Sequence, residues 1–206
     1  MERKAFLESM VLLTLLVISA LFIPTLKGLF ALLPILYYLI EMRLRKRGNG
    51  GFNFKSLVSD IKKSWAFIIL VSAILQVFYF FIFNTYVPEM VEHLKERVSI
   101  LDNLDVVLVI SIFLFALGEE ITFRGLFQNR LNWVMKPAYA ILITSFLFTI
   151  IHFSKGEPLI VALDLTTVFL DSIIYGYIYY KTNNIYVSWI AHALANIIAA
   201  ALILSY

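Results

Sequence analysis

Glu119 and Glu120 stand side by side at the end of a clean apolar run, Ile110 to Gly118, and Arg124 follows. Further along, two of the chain's 3 histidines sit in apolar runs of their own, Phe148-Thr-Ile-Ile-His152 and His192-Ala-Leu-Ala-Asn196. An ionisable group at the centre of a bilayer costs about 2.5–3.5 kcal/mol on insertion scales, so each of these needs a partner or a task. Helical spacing says which of them can meet. Glu120 and Arg124 are i,i+4 with the acid first, the favourable order for a pair along one helix. Glu119 lies about 100° around the axis from Glu120, so the two cannot both face one small site. The simplest division pairs Glu120 with Arg124 as support and turns Glu119 into the bundle. His192 and Asn196 share a face, while His152 comes from a different helix. A carboxylate, two imidazoles and a carboxamide from three helices can activate a water and stabilise an oxyanion. The same residue types also serve as interhelical glue or as a proton relay. On the residues alone, an intramembrane hydrolase and a non-enzymatic immunity or scaffold protein both stay open. A proton-coupled transporter is a third reading, but no convincing pair of inverted repeats supports it.

The elements that must position these groups are membrane helices. The chain has 206 residues, of which 61% are hydrophobic and 15% charged; soluble domains carry about 25% charge. That excess is too large for one globular core, and it excludes a disordered chain or a basic nucleic-acid binder. There is no cysteine, hence no disulfide framework, no thiolate nucleophile and no Cys-bound zinc. Runs of roughly 17–25 apolar residues read as spans. They predict an all-α, polytopic transmembrane bundle of about seven: Ser9 to Ile23, Leu26 to Ile40, Trp65 to Tyr86, Val106 to about Leu126, Ala138 to Phe153, Leu159 to Tyr180 and Tyr186 to Ser205. The first two lie close enough to form a re-entrant hairpin instead. The N-terminus reads as a retained span rather than a signal peptide, because no A-x-A site ends the run.

Charge orients the bundle. Arg3 and Lys4, the link from Arg43 through Arg45, Lys46, Arg47, Lys55, Lys62 and Lys63, then Arg124, Arg130, Lys136 and Lys181 make thirteen Lys/Arg on one side. Lys27, Lys95, Arg97 and Lys155 make four on the other. The positive-inside rule then predicts a multi-pass protein of the cell membrane with a cytoplasmic N-terminus and an external C-terminus. Gly48-Asn49-Gly50-Gly51 reads as a flexible turn. The external link Val87 to Asp105 is net acidic, and Pro88 begins an amphipathic helix with Met90, Val91, Leu94 and Val98 on its apolar face.

Glu119-Glu120-x-x-x-Arg124, Phe148-x-x-x-His152 and His192-x-x-x-Asn196, in this order on successive apolar helices, resemble the CPBP family of intramembrane proteases. That group includes type II CAAX prenyl endopeptidases and bacterial bacteriocin-processing or immunity proteins. The resemblance divides one integral membrane domain into N-terminal spans, residues 1–103, and a catalytic core, residues 104–206. It implies that Glu119 is the general base and that His152 orients or deprotonates the attacking water. His192 and Asn196 then hold the oxyanion, Glu120 and Arg124 support, and Phe148 packs at the site wall. It implies an endopeptidase whose partners are a peptide or protein substrate and the surrounding lipid, with no nucleic acid. Leader or signalling peptides are preferred to CaaX-like ends as substrates, because a short chain without extra domains resembles the bacterial members. No cofactor is expected. Zinc on Glu119, His152 and His192 is the alternative, since a Glu with two His is a plausible zinc set. Asp164 and Asp171 are i,i+7 on one face of the sixth span, outside the family motifs; structural burial or the lining of a water route is expected of them.

Overall fold

In the computed structural model of the protein, residues 2–45, 51–97 and 105–205 are described. Lys46 and Arg47 of the basic link, Gly48 to Gly50 of the expected turn, Val98 of the amphipathic helix and the 103/104 boundary lie outside them. The described chain forms eight helices and no strand: α1 (Glu2–Phe22), α2 (Lys27–Arg45), α3 (Leu57–Tyr86), α4 (Pro88–Arg97), α5 (Val106–Leu131), α6 (Pro137–Ile150), α7 (Pro158–Thr182) and α8 (Ile185–Leu204). Seven of them answer one for one to the seven expected spans, and α4 is the amphipathic helix.

Five helices, α1, α3, α5, α7 and α8, are long and apolar enough to cross a membrane. The other two fall short for identifiable reasons. Helix α2 has 19 residues but carries Lys27 at its start and Glu41, Arg43 and Arg45 at its end. Helix α6 has 14 residues, about 21 Å of rise against a hydrocarbon core of about 30 Å. Helices α1 and α2 pack side by side, joined by the turn Pro24–Leu26. They are two full helices rather than a short hairpin. Only 28–44% of each spanning window is buried inside the bundle. Leu7, Val11, Phe78, Phe81, Leu114 and Phe146 face outward. A bundle with this much apolar surface on its outside has lipid for a solvent.

Helix starts are written locally. The Asp105 carboxylate caps α5 by accepting from Leu108 N at 2.8 Å, and Glu157 caps α7 by accepting from Ile160 N at 2.9 Å, just before Pro158 in the first turn. Asn184 caps α8, and its side-chain amide also donates to Asn53 O and to Asp60 Oδ2. Asn183 ends α7 in the left-handed region at φ 47°, which Asn tolerates better than most residues.

Helix α8 occupies the middle, in contact with α3, α4, α5 and α7. A core of Leu13, Leu16, Tyr38, Phe123, Phe127 and Phe148 ties α1 and α2 to α5 and α6. Polar contacts join like ends of the helices. At one end Arg130 pairs with Glu41 and reaches Ser9, stacking its guanidinium on Trp133. At the other end Lys27 Nζ donates to Ile151 O at 2.5 Å.

Candidate active site

Two of the longest helices contain a stretch of wider π-type turns, and both stretches adjoin polar residues. In α5 it covers Ile121–Gln128, immediately after the two glutamates, and all of its residues are buried. Wide turns of this kind recur at functional sites because they re-aim the side chains that follow. Arg124 Nη2 donates to Ser172 O and Ser172 Oγ, both at 2.9 Å, and Gln128 Nε2 donates to Gly176 O at 2.9 Å. Four residues on α5 therefore match four residues on α7, and this ladder holds the two helices in register. Gly176 permits it: a Cβ there would lie 2.9 Å from Gln128 Oε1. In α3 the wide stretch is Leu70–Ile74. Gln76 Nε2 donates to Val71 O within it and to Asp171 Oδ2 on α7.

With that frame set, the two glutamates separate as the 100° offset requires. Glu120 is fully buried, with Oε1 3.1 Å from Arg124 Nη1 and 3.0 Å from His192 Nδ1. Glu119 turns the other way, into a cavity of about 440 Å³. Its Oε1 lies 3.8 Å from His152 Nε2 and its Oε2 lies 3.6 Å from His192 Nε2. Phe148, Tyr175 and Asn196 line the same cavity. The structure thus brings Glu119, His152, His192 and Asn196 around one space, with Glu120 and Arg124 behind it.

His152 is not on its helix. The expected span Ala138 to Phe153 is too long, because α6 stops at Ile150 and His152 sits in the turn beyond. Its Nδ1 lies 2.7 Å from Phe148 O, one of the carbonyls that a helix end leaves without an intrahelical partner. Lys27 takes the neighbouring Ile151 carbonyl. A side chain from each direction closes the helix, and the histidine is pinned in the process.

Hydrogen-bond chemistry then assigns the imidazole protons. A carbonyl only accepts, so His152 Nδ1 carries the hydrogen given to Phe148 O, and its Nε2 faces Glu119. The Glu120 carboxylate, ionised against Arg124, accepts from His192 Nδ1, which likewise presents Nε2 to Glu119. Aromatic rings fix both imidazoles in orientation. Tyr175 stacks on His192 at 4.5 Å and 18°, and Phe148 lies 4.4 Å from the His152 ring centroid. Phe148 and Tyr175 also flank the Arg124 guanidinium at 5.0 and 5.5 Å, within the range of a cation–π contact.

Asp164 and Asp171, expected to be buried or to line a water route, both line this cavity, together with Gln76, Tyr79 and Lys27, which the sequence reading passed over. Asp171 accepts from Gln76 and, at 3.3 Å, from Tyr79. Asp164 is buried, 3.6 Å from His93 Nε2. His93 in turn lies 3.2 Å from Ser154 Oγ. Gln76 is a polar group in an apolar run, the same signal that marked the other site residues. His93 and Lys27 gave no such signal, because both lie near helix ends where charge is ordinary. Among the described residues, no group of three His, Asp or Glu side chains stands ready to hold a metal ion.

Comparison with known proteins gives one family. Residues 102–198 match the family model described as Type II CAAX prenyl endopeptidase Rce1-like. The match contains every residue named in the three motifs. No curated protein and no solved structure matches the chain.

Proposed function

We propose that this chain, whose residues 102–198 match the Rce1-like family model, is an intramembrane peptidase of the CPBP family that hydrolyses its substrate with a water activated by Glu119. The observation that carries this reading is the pair of gaps around Glu119. At 3.6 and 3.8 Å from the two Nε2 atoms, the carboxylate is too far for direct hydrogen bonds, and one water on the cavity side can bridge it to a ring nitrogen. A water held between Glu119 Oε1 and His152 Nε2 gives a proton to the carboxylate as its oxygen attacks the peptide carbon. With Phe148 O holding the hydrogen on Nδ1, His152 presents Nε2 as an acceptor. On the other side, His192 Nε2 and the Asn196 amide face the position where the oxyanion forms. Glu120, backed by Arg124, anchors His192 Nδ1 and so aims the ring into the cavity. Collapse of the tetrahedral intermediate returns the proton from Glu119 to the leaving amine. No cofactor enters the scheme.

The substrate is a peptide that reaches the cavity from within or beside the membrane, with leader or signalling peptides preferred to CaaX-like ends. The test uses purified protein in detergent or bilayer discs with a quenched fluorogenic peptide library. Glu119→Gln is expected to lower turnover by about 10²–10⁴, the usual contribution of a positioned general base, with helical content and melting temperature unchanged. Cleavage is expected to survive prolonged dialysis against a strong chelator. Equal turnover in Glu119→Gln and parent would refute the reading. It would leave the same residues as interhelical glue of a non-catalytic immunity or scaffold protein. Loss of turnover on chelation, restored by zinc, would refute the metal-free form.

A further inference from the structure

The cavity has a direction. Its floor lies near the middle of the bundle, at Glu119, Tyr175 and His192, and its walls rise towards one end only. At that end stand Lys27 at the start of α2, Leu94 of α4, Ser154 in the turn after α6, and Ile203 near the end of α8. Packing closes the other end. There the Arg130–Glu41 pair with Ser9 fills the space between α1, α2 and α5. Asn184 bridges Asn53 and Asp60 between α8 and α3, and Asp60 also takes Ser56 and Lys63.

Charge distinguishes the same two ends. Once the buried Arg124 is set aside, ten Lys/Arg among the described residues sit at or next to the closed end: Arg3, Lys4, Arg43, Arg45, Lys55, Lys62, Lys63, Arg130, Lys136 and Lys181. Four sit towards the open end: Lys27, Lys95, Arg97 and Lys155. One of these four, Lys27, is engaged on the Ile151 carbonyl. Short links rich in Lys and Arg are retained in the cytoplasm, so the closed end is the cytoplasmic one.

Taken with the direction of the cavity, this has a consequence for the substrate. We propose that the cavity opens to the extracytoplasmic side of the membrane, and that the chain acts on exported or externally presented peptide segments rather than on cytosolic chain ends. The substrate class rests on the peptidase reading above; the direction of opening does not. Helix α4 lies at this mouth, with Val91 and Leu94 in the cavity wall. His93 is held against Ser154 and Asp164 at 3.2 and 3.6 Å. An incoming peptide therefore passes beside α4 before it meets Glu119.

The chain contains no cysteine, so single cysteines can be read without background. Three variants serve: Lys155→Cys in the exposed turn at the mouth, Lys136→Cys in the exposed turn at the closed end, and Val168→Cys inside the cavity. Each is expressed in whole cells and treated with a membrane-impermeant maleimide or a charged methanethiosulfonate. Lys155→Cys and Val168→Cys are expected to react in intact cells. Lys136→Cys is expected to stay unlabelled until the membrane is permeabilised. The reverse pattern at the two turn positions would overturn the proposal, and so would a Val168→Cys that reacts only after permeabilisation or not at all. These outcomes need no enzymatic readout. External labelling of a protein that cleaves no peptide would therefore defeat the peptidase reading while leaving the direction of the cavity in place. Where cleavage is present, modification of Val168→Cys from outside is expected to abolish it, with the cysteine-free parent unaffected. Full cleavage in the modified protein would refute access by this route.

Discussion

Arg124 and Glu120 offer the sharpest test of how the site is held, because neither faces the substrate and both are fully buried. The guanidinium meets Glu120 at 3.1 Å through Nη1 and Ser172 through Nη2, with Phe148 and Tyr175 on its flanks. Arg124→Met keeps much of the volume and removes the charge. It leaves the Glu120 carboxylate buried with His192 as its remaining polar partner, and breaking a buried pair in this way costs about 3–5 kcal/mol. Glu120→Gln strands the guanidinium instead and should cost a similar amount. The double variant strands no charge, so its cost should fall short of the sum of the two by about 1–3 kcal/mol, as for groups in direct contact. Lysine at 124 should not rescue, since an ammonium cannot span Glu120 and Ser172 with a planar fork. Reversible unfolding in mixed micelles or bicelles gives all four stabilities. A double variant whose cost equals the sum of the singles would refute the claim that these charges act as one unit. So would an Arg124→Met that unfolds within about 0.5 kcal/mol of the parent, the range of ordinary surface substitutions.

The register ladder between α5 and α7 predicts that Gly176→Val, whose Cβ meets Gln128 Oε1 at 2.9 Å, lowers stability by about 1–3 kcal/mol, the usual cost of overpacking. Gly28→Val, a position with nothing within 4 Å, is the control, and thermal unfolding in the same detergent compares them. Lys27→Met frees the Ile151 carbonyl beside His152 and should cost about 1–3 kcal/mol, the penalty for a helix-end carbonyl left without its partner. It should also lower kcat more than it raises KM, because what it loosens is the turn that carries His152. Steady-state kinetics on the fluorogenic peptide separate the two parameters. A pure KM effect would mean that Lys27 contacts substrate instead.

Composition and hydropathy had already determined the class of this molecule. No packed core of this length can absorb so many apolar residues, so the chain had to be helices in lipid, and seven apolar stretches became seven helices. The division of labour between Glu119 and Glu120 was likewise legible, because adjacent residues on any helix point about 100° apart and one of them had Arg124 four residues on. Charge placement along the links supplies the expectation of a cytoplasmic N-terminus for the same reason, being a property of position in the chain.

Distances across the bundle were not legible. That His192 stands between the two glutamates, one on each ring nitrogen, depends on how α8 sits against α5, and spacing within either helix is silent on that. His152 was assigned to a helix because apolar residues run on to Phe153; the helix ends sooner because its own imidazole and Lys27 take the last carbonyls. The wide turns at Leu70–Ile74 and Ile121–Gln128 have no mark in the residue pattern, yet they set where Gln76, Arg124 and Gln128 point. Gln76 and Tyr79 meet Asp171 across 95 and 92 residues of chain. The one-sided cavity belongs to this second group. A sequence determines which groups are too costly to leave in lipid, because that cost belongs to each residue alone. Which of them share a partner, and from which side water and substrate arrive, is decided only when the helices pack, because it is a property of the space between them.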